Sequence, residues 1–125
     1  MNRTAITIVA FLLGTMAPVP AGAVALECNN VEKMARCCST YLKSLKETVT
    51  SSELTPAHQC QMEIEGALDE AREEKYLGAC VPDKITPADI ARSFVAFSEN
   101  NHNFYTRSPR FGLLYLMSFK WPCNP

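Results

Sequence analysis

Six cysteines and two histidines are the residues of this chain whose types and spacing could do chemistry. Cys37 and Cys38 are adjacent, and His58 stands two positions before Cys60. Thiolates and imidazoles are zinc ligands, so these four residues could in principle form a metal site. Neither a C-x-x-C pair nor an H-x-x-x-H pattern accompanies them, which argues against a zinc site. A redox centre would also require a C-x-x-C pair. We therefore expect disulfides, with no bound metal and no cofactor.

Hydrolytic catalysis is the other chemistry to consider, and it needs a nucleophile, a base and an orienting group. His58 falls in the expected first turn of a helix, and His102 falls in a polar turn. The chain contains no G-x-S-x-G, no H-E-x-x-H and no glycine-rich phosphate loop. We expect a protein that is not an enzyme.

The first 25 residues predict export. One basic residue, Arg3, precedes an apolar run over positions 5–13, and small residues follow with A-x-A cleavage sites after Ala23 or Ala25. This order is typical of a signal peptide. The apolar run is shorter than the roughly 20 residues that span a bilayer, so we expect no stable membrane insertion. Export places the cysteines in the periplasm or outside the cell, where disulfides persist.

The remaining residues, 26–125, are enough for a single domain. The chain has 12 basic and 13 acidic residues, so removal of Arg3 leaves 11 against 13 and a net charge near −2. This balance does not favour nucleic acid as a partner. A domain this small buries a limited core, which covalent bridges would supplement.

Apolar residues at three- and four-residue spacing predict four helices. Their approximate ranges are 30–49, 56–76, 87–99 and 109–119. The inner side of the first is predicted to carry Val31, Met34, Ala35, Cys38, Leu42, Leu45 and Val49. The inner side of the second is predicted to carry Cys60, Ile64, Ala67, Leu68 and Ala71. No segment shows sustained alternation, so the predicted fold is all-α, a small disulfide-stapled bundle of about four helices.

A hydroxyl residue followed by proline predicts the start of each of the last three helices, because the hydroxyl caps a free N–H and proline loses no bond there. These pairs are Thr55-Pro56, Thr86-Pro87 and Ser108-Pro109. The fourth helix is apolar on most sides, which predicts that it is the central and most buried one.

A cysteine–proline turn and an aromatic–proline–cysteine end frame the last two helices. Together they resemble the C-terminal half of the small periplasmic immunity proteins that block type VI secretion amidases, the Tai/Rap immunity family. The matching residues are Cys80, Pro82, Thr86, His102, Leu114, Trp121, Pro122 and Cys123. Upstream, Cys37, Cys60, Gly66 and Asp69 also fit the family. The chain departs from it in Met62-Glu63, where the family has Gly-Tyr, and in the additional Cys28 and Cys38.

The resemblance implies bridges Cys80–Cys123 and Cys37–Cys60, which leaves Cys28 and Cys38 to pair with each other or stay free. The residues themselves leave the pairing open, because six cysteines allow 15 connectivities. Cys38 lies on the predicted inner side of the first helix with Cys37 beside it, so either could face the second helix.

The resemblance also implies a function: neutralising a cell-wall amidase by covering its catalytic cleft, in the periplasm. Family members are often dimers, so we consider a homodimer as well. We expect the polar turn after the third helix to bind the partner, because aromatic residues in a polar loop are common interface anchors. The predicted partner-binding residues are Asn101, His102, Phe104 and Tyr105. The alternative is that both aromatic residues pack under the last helix.

Three alternatives remain. An acidic outer face on the second helix could dock a basic partner or simply be solvated; it comprises Glu63, Asp69, Glu70, Glu73 and Glu74. The fourth helix could line a cavity in a small secreted carrier of an apolar ligand. The chain could also be an envelope stress or structural protein.

Overall fold

The computed structural model describes residues 27–74 and 78–124 as a bundle of four α-helices. They are α1 (Val31–Ser44), α2 (Ser51–Glu74), α3 (Pro87–Asn100) and α4 (Pro109–Lys120), and a short 3₁₀ turn spans His102–Phe104. The described residues contain no strand, only one isolated bridge between Ala79 and Pro122. The predicted all-α, disulfide-stapled fold is confirmed. The predicted signal peptide, residues 1–25, and the predicted end of the second helix at Tyr76 lie outside the described residues.

Helix α1 is shorter than predicted. Its N-cap is Asn30, whose side chain accepts a hydrogen bond of 2.8 Å from the N–H of Lys33. It ends at Ser44, and Leu45 is 54% exposed. The prediction that Leu45 and Val49 extend the inner side is therefore wrong, because the chain must turn here to bring α2 back along α1.

Helix α2 begins five residues earlier than predicted, at Ser51. Thr50 takes the capping position: its N–H and its hydroxyl each lie 3.0 Å from Glu53 Oε1. Pro56 lies inside the helix, where proline lacks the N–H of a normal helical bond. The predicted start at Thr55-Pro56 is wrong. The other two starts are confirmed, since the hydroxyls of Thr86 and Ser108 accept hydrogen bonds from the third residue on.

The core lies where α1 packs against α2 and α3, with α4 against α2. All five residues predicted for the inner side of α2 are buried. Leu113 and Met117 of α4 are fully buried, but Phe119 is 76% exposed and Tyr115 38% exposed. The prediction that α4 is the central helix is wrong, because an edge helix can bury only one side and its other apolar side remains on the surface.

Three disulfides join the elements: Cys28–Cys37, Cys38–Cys60 and Cys80–Cys123. The first anchors the segment before α1, and the second crosses from α1 to α2. The Cys37–Cys60 bridge implied by the resemblance is wrong. Adjacent helical residues point about 100° apart, so when Cys38 faces α2, Cys37 faces elsewhere.

The Cys80–Cys123 bridge is the one that the resemblance implies, and it closes the C-terminal end of the fold. Backbone bonds flank it: the Cys80 N–H donates to Trp121 O at 2.7 Å, and the Cys123 N–H donates to Gly78 O at 2.8 Å. Gly78 has a φ of 74°, a left-handed conformation that favours glycine. Within the described residues, no helix is both long and apolar enough to cross a membrane.

Candidate functional site: an aromatic face

The turn between α3 and α4 is fixed by the end of α3. Asn101 is the C-cap of α3, and its side-chain amide donates to Phe97 O at 2.8 Å. The 3₁₀ turn follows at once, and Tyr105 donates its N–H to His102 O at 3.1 Å. Consecutive residues of this tight turn point in different directions, so Phe104 and Tyr105 reach different sides of the molecule.

Phe104 joins a group of rings between α3 and α4. Its centroid lies 4.8 Å from that of Tyr115, 5.3 Å from that of Phe97 and 6.1 Å from that of Phe111. Phe111, Tyr115 and Phe119 recur every four residues, which puts them on one side of α4. We call Phe97, Phe104, Phe111, Tyr115 and Phe119 the aromatic face.

A surface depression of about 350 Å³ adjoins Phe119. Its lining includes the apolar residues Ala96, Phe97 and Leu116 and the polar residues Asn101 and Lys120. The depression is open, so a side chain of another molecule could enter it without rearrangement of the helices.

Two cations border the aromatic face. The Arg107 guanidinium lies 5.1 Å from the ring centroid of Phe111, within range of a cation–π contact. Lys120 donates to the hydroxyl of Ser93 at 2.6 Å, and its ammonium lies 5.5 Å from the Trp121 ring. None of the described residues that line the depression carries a carboxylate. The aromatic face therefore has a cation at each end, Arg107 and Lys120.

The four predicted partner-binding residues do not form one surface. Phe104 belongs to the aromatic face, and Asn101 lines its depression while capping α3. His102 is exposed and lies 4.7 Å from Tyr105, ring to ring. Tyr105 borders a separate polar groove between α1 and α3, and its carbonyl accepts from the Glu32 N–H at 3.3 Å. Of the two aromatic residues, Phe104 packs against the last helix and Tyr105 supports α1.

The outer side of α4 was the part of this site that sequence reasoning missed. The four-residue spacing of Phe111, Tyr115 and Phe119 is visible in the sequence, but the apolar composition of the whole helix favours a buried position. A helix that is apolar all round is also compatible with an edge position and a partner on its free side.

The acidic outer face of α2 is divided by a contact with α4. Arg110 donates through Nε to Glu63 at 2.7 Å and through Nη1 to Glu70 at 2.9 Å. Desolvation by partial burial acts to lower the pKa of Arg110, but the hydrogen bonds to both carboxylates outweigh it and raise that pKa. Gly66 leaves the space for the guanidinium, because a Cβ there would lie 2.6 Å from Nη2. Asp69, beside this contact, stays exposed.

Comparisons with known proteins identify no relative: no family model, no curated protein and no solved structure matches the chain. Within the described residues, no group of three His, Cys, Asp or Glu side chains is placed to hold a metal ion.

Proposed function

We propose that this chain is an exported, non-enzymatic binding protein that docks on a partner protein through the aromatic face. The observation that carries the proposal is the exposure of Phe119, at 76%, beside Tyr115 at 38%. Aromatic residues are enriched at the centres of protein interfaces, where they supply large contact area. Neighbouring rings that are already packed against one another lose little conformational freedom on binding.

The disulfides support the same proposal. Cys80–Cys123 fixes the end of the chain just beyond α4, and Cys38–Cys60 ties α1 to α2. A preorganised scaffold binds more tightly because less entropy is lost on association. Three disulfides also suit a protein that works in an oxidising compartment such as the periplasm.

For the partner, we propose a cell-wall amidase whose cleft the chain covers, as in the immunity proteins that the sequence resembles. The support is the frame from Cys80 to Cys123, including the bridge between them. In this proposal the aromatic face is the occluding surface. Inhibition would follow from steric exclusion of peptidoglycan.

The carrier alternative requires apolar side chains of α4 to line an interior cavity. Leu113 and Met117, the inward side chains of α4, are instead fully buried in the core. The apolar surface that remains is on the outside, which suits a protein partner better than an enclosed ligand. Displacement of a fluorescent fatty acid would separate the two proposals: saturable one-to-one binding supports the carrier.

The decisive experiment is capture on the oxidised protein, purified from the periplasm after expression of the full chain. Periplasmic and secreted fractions of the producing strain and of its competitors are passed over wild type, Phe119→Asp and Leu54→Asp. Leu54 is also an exposed apolar residue, at 56%, but it lies at the start of α2. We expect a cell-wall amidase on wild type and Leu54→Asp only, with its activity lost at one-to-one stoichiometry. Capture of no amidase, or equal capture by Phe119→Asp, would refute the proposal.

A further inference from the structure

The free side of α4 is apolar along its length and charged at both ends. Arg107 lies over Phe111 at the N-terminal end, and Lys120 borders the depression beside Phe119 at the other. The 12 residues of α4 span about 18 Å, so the two cations bracket a strip as long as a short helix or loop.

Among the described residues, no carboxylate forms an ion pair with Arg107 or Lys120. Arg107 contacts an aromatic ring, and Lys120 contacts a hydroxyl and a ring. Arg110, by contrast, is already neutralised by Glu63 and Glu70. Arg107, just before α4, and Lys120, at its last position, are thus the charges that remain available to another molecule.

From this pattern we propose that the aromatic face binds an acidic segment of a partner protein. The segment places an apolar side chain in the depression beside Phe119, and its flanking carboxylates meet Arg107 and Lys120. This inference rests on the proposed function and adds the chemistry of the partner. Complementary charge at the edge of an interface speeds association and excludes wrong partners.

A second copy of this chain is a poor occupant. Two α4 helices packed antiparallel about a two-fold axis would bring Arg107 of one copy near Lys120 of the other. Packed in parallel, they would bring each cation near its own equivalent. Both arrangements oppose like charges, which disfavours self-association through this face.

The test uses two designed 12-residue amphipathic peptides with identical leucine positions. One has glutamates beside the leucines, and the other has lysines there. Binding is followed by amide chemical shifts of the full mature protein and by the fluorescence of Trp121, the single tryptophan. We expect the glutamate peptide to perturb residues 115–121 and to bind at least about tenfold more tightly than the lysine peptide.

Two charge-reversal variants complete the test. Arg107→Glu combined with Lys120→Glu should invert the preference between the peptides. The matched control is Arg36→Glu combined with Lys46→Glu, two exposed residues in or just after α1; it should preserve the preference. Equal binding of both peptides, preference for the lysine peptide, or no perturbation at millimolar peptide would overturn the inference.

Two further measurements address other occupants. Sedimentation that shows a dimer dissociated by Phe119→Asp would assign the face to a second copy. If the wild-type protein floats with phosphatidylglycerol vesicles and Phe119→Asp does not, the aromatic face would be assigned to a lipid surface. Either result overturns the inference. A preference for the glutamate peptide without capture of an amidase would keep the inference and refute the proposed function. Capture of an amidase without a preference for the glutamate peptide would support the proposed function and overturn the inference.

Discussion

Arg110 Nε lies 2.7 Å from Glu63 Oε1 and so joins α4 to α2 across 47 residues of sequence. The same guanidinium reaches Glu70, two helical turns further along α2, at 2.9 Å. One side chain therefore fixes both the distance and the register between the two helices. The aromatic face depends on this register, because it lies on the opposite side of α4.

Replacing Arg110 by methionine should lower the free energy of unfolding by about 1 kcal/mol, a value kept small because the side chain is 39% exposed. Arg110→Lys should recover part of the loss, since an ammonium cannot serve two carboxylates with the geometry of a guanidinium. Urea unfolding at low and high salt measures both effects, and the loss should shrink in high salt. As a control, Arg92→Met removes an ion pair within α3 alone; an equal loss there would contradict a special role for Arg110.

The pair of Lys43 and Glu53 predicts a specific pH dependence. Hydrogen bonds from Lys43 and from the N–H and hydroxyl of Thr50 lower the pKa of Glu53 from 4.5 to about 2. A carboxylate whose pKa is lower in the folded chain stabilises it fully above its unfolded pKa, and this contribution is lost as the pH falls towards the folded pKa. The difference in the free energy of unfolding between wild type and Glu53→Gln should therefore be greatest at pH 7. It should shrink as the pH falls from about 4.5 to about 2.

A double-mutant cycle provides the control for that experiment. The coupling between Lys43→Met and Glu53→Gln should be measurable at pH 7 and largely lost at pH 2 in urea unfolding. A coupling that is the same at both pH values would show that charge on Glu53 does not carry the interaction.

The type and approximate place of the helices could be predicted from sequence because local signals determine them. The caps at Thr86 and Ser108 and the spacing of the buried residues of α2 are such signals. The start of α2 could not be predicted from its local signal, because Thr55-Pro56 has the residue pattern of a helix start. In the structure, Thr50 and Glu53 form the hydrogen bonds at the start of the helix.

What could not be predicted depends on contacts between distant residues. The choice of Cys38 rather than Cys37 for Cys60 depends on the rotation of α1 against α2. The partnership of Arg110 with Glu63 depends on where α4 docks. The free side of α4 follows from its place at the edge, which its own composition does not encode.

Gly112 is a buried residue of α4 that lies against Val31 and Phe94. A Cβ there would lie 2.6 Å from Val31 Cγ2 and 3.3 Å from Phe94 Cε1. Gly112→Ala should destabilise the protein: overpacking costs about 1–3 kcal/mol, and because Val31 and Phe94 are fully buried we expect a cost above the gain of about 1 kcal/mol in helix propensity. Val31→Ala removes the obstructing methyl group. Thermal unfolding should therefore show a smaller loss from Gly112→Ala when it is introduced into Val31→Ala than when it is introduced into the wild type.

Gly66→Ala is the matched control for Gly112→Ala. Its new Cβ would meet only the flexible end of Arg110, at 2.6 Å from Nη2. We expect a smaller loss than for Gly112→Ala, and no loss from crowding when Arg110 is already methionine. A greater loss for Gly66→Ala would contradict this ranking of the two contacts.

Loop length predicts how much each disulfide contributes. The bridges Cys28–Cys37, Cys38–Cys60 and Cys80–Cys123 close separations of 9, 22 and 43 residues. In the chain-entropy model these loops correspond to about 2.5, 3.5 and 4 kcal/mol respectively. Paired Cys→Ala variants, unfolded in urea without reductant, should follow this order, and the greatest loss for the Cys28–Cys37 pair would contradict it.

Single cysteine variants distinguish the two pairings of adjacent cysteines. In Cys37→Ala, the structure leaves Cys28 without its partner while Cys60 stays bonded to Cys38. Alkylation of the unfolded, unreduced variant followed by mass spectrometry should therefore label Cys28 alone. A Cys37–Cys60 bridge would instead free Cys60 for labelling in this variant. Cys38→Ala reverses the logic, because it should expose Cys60 to alkylation and leave Cys28 protected by Cys37. Agreement of both variants would establish that Cys38 faces α2, and with it the rotation of α1 on which the core depends.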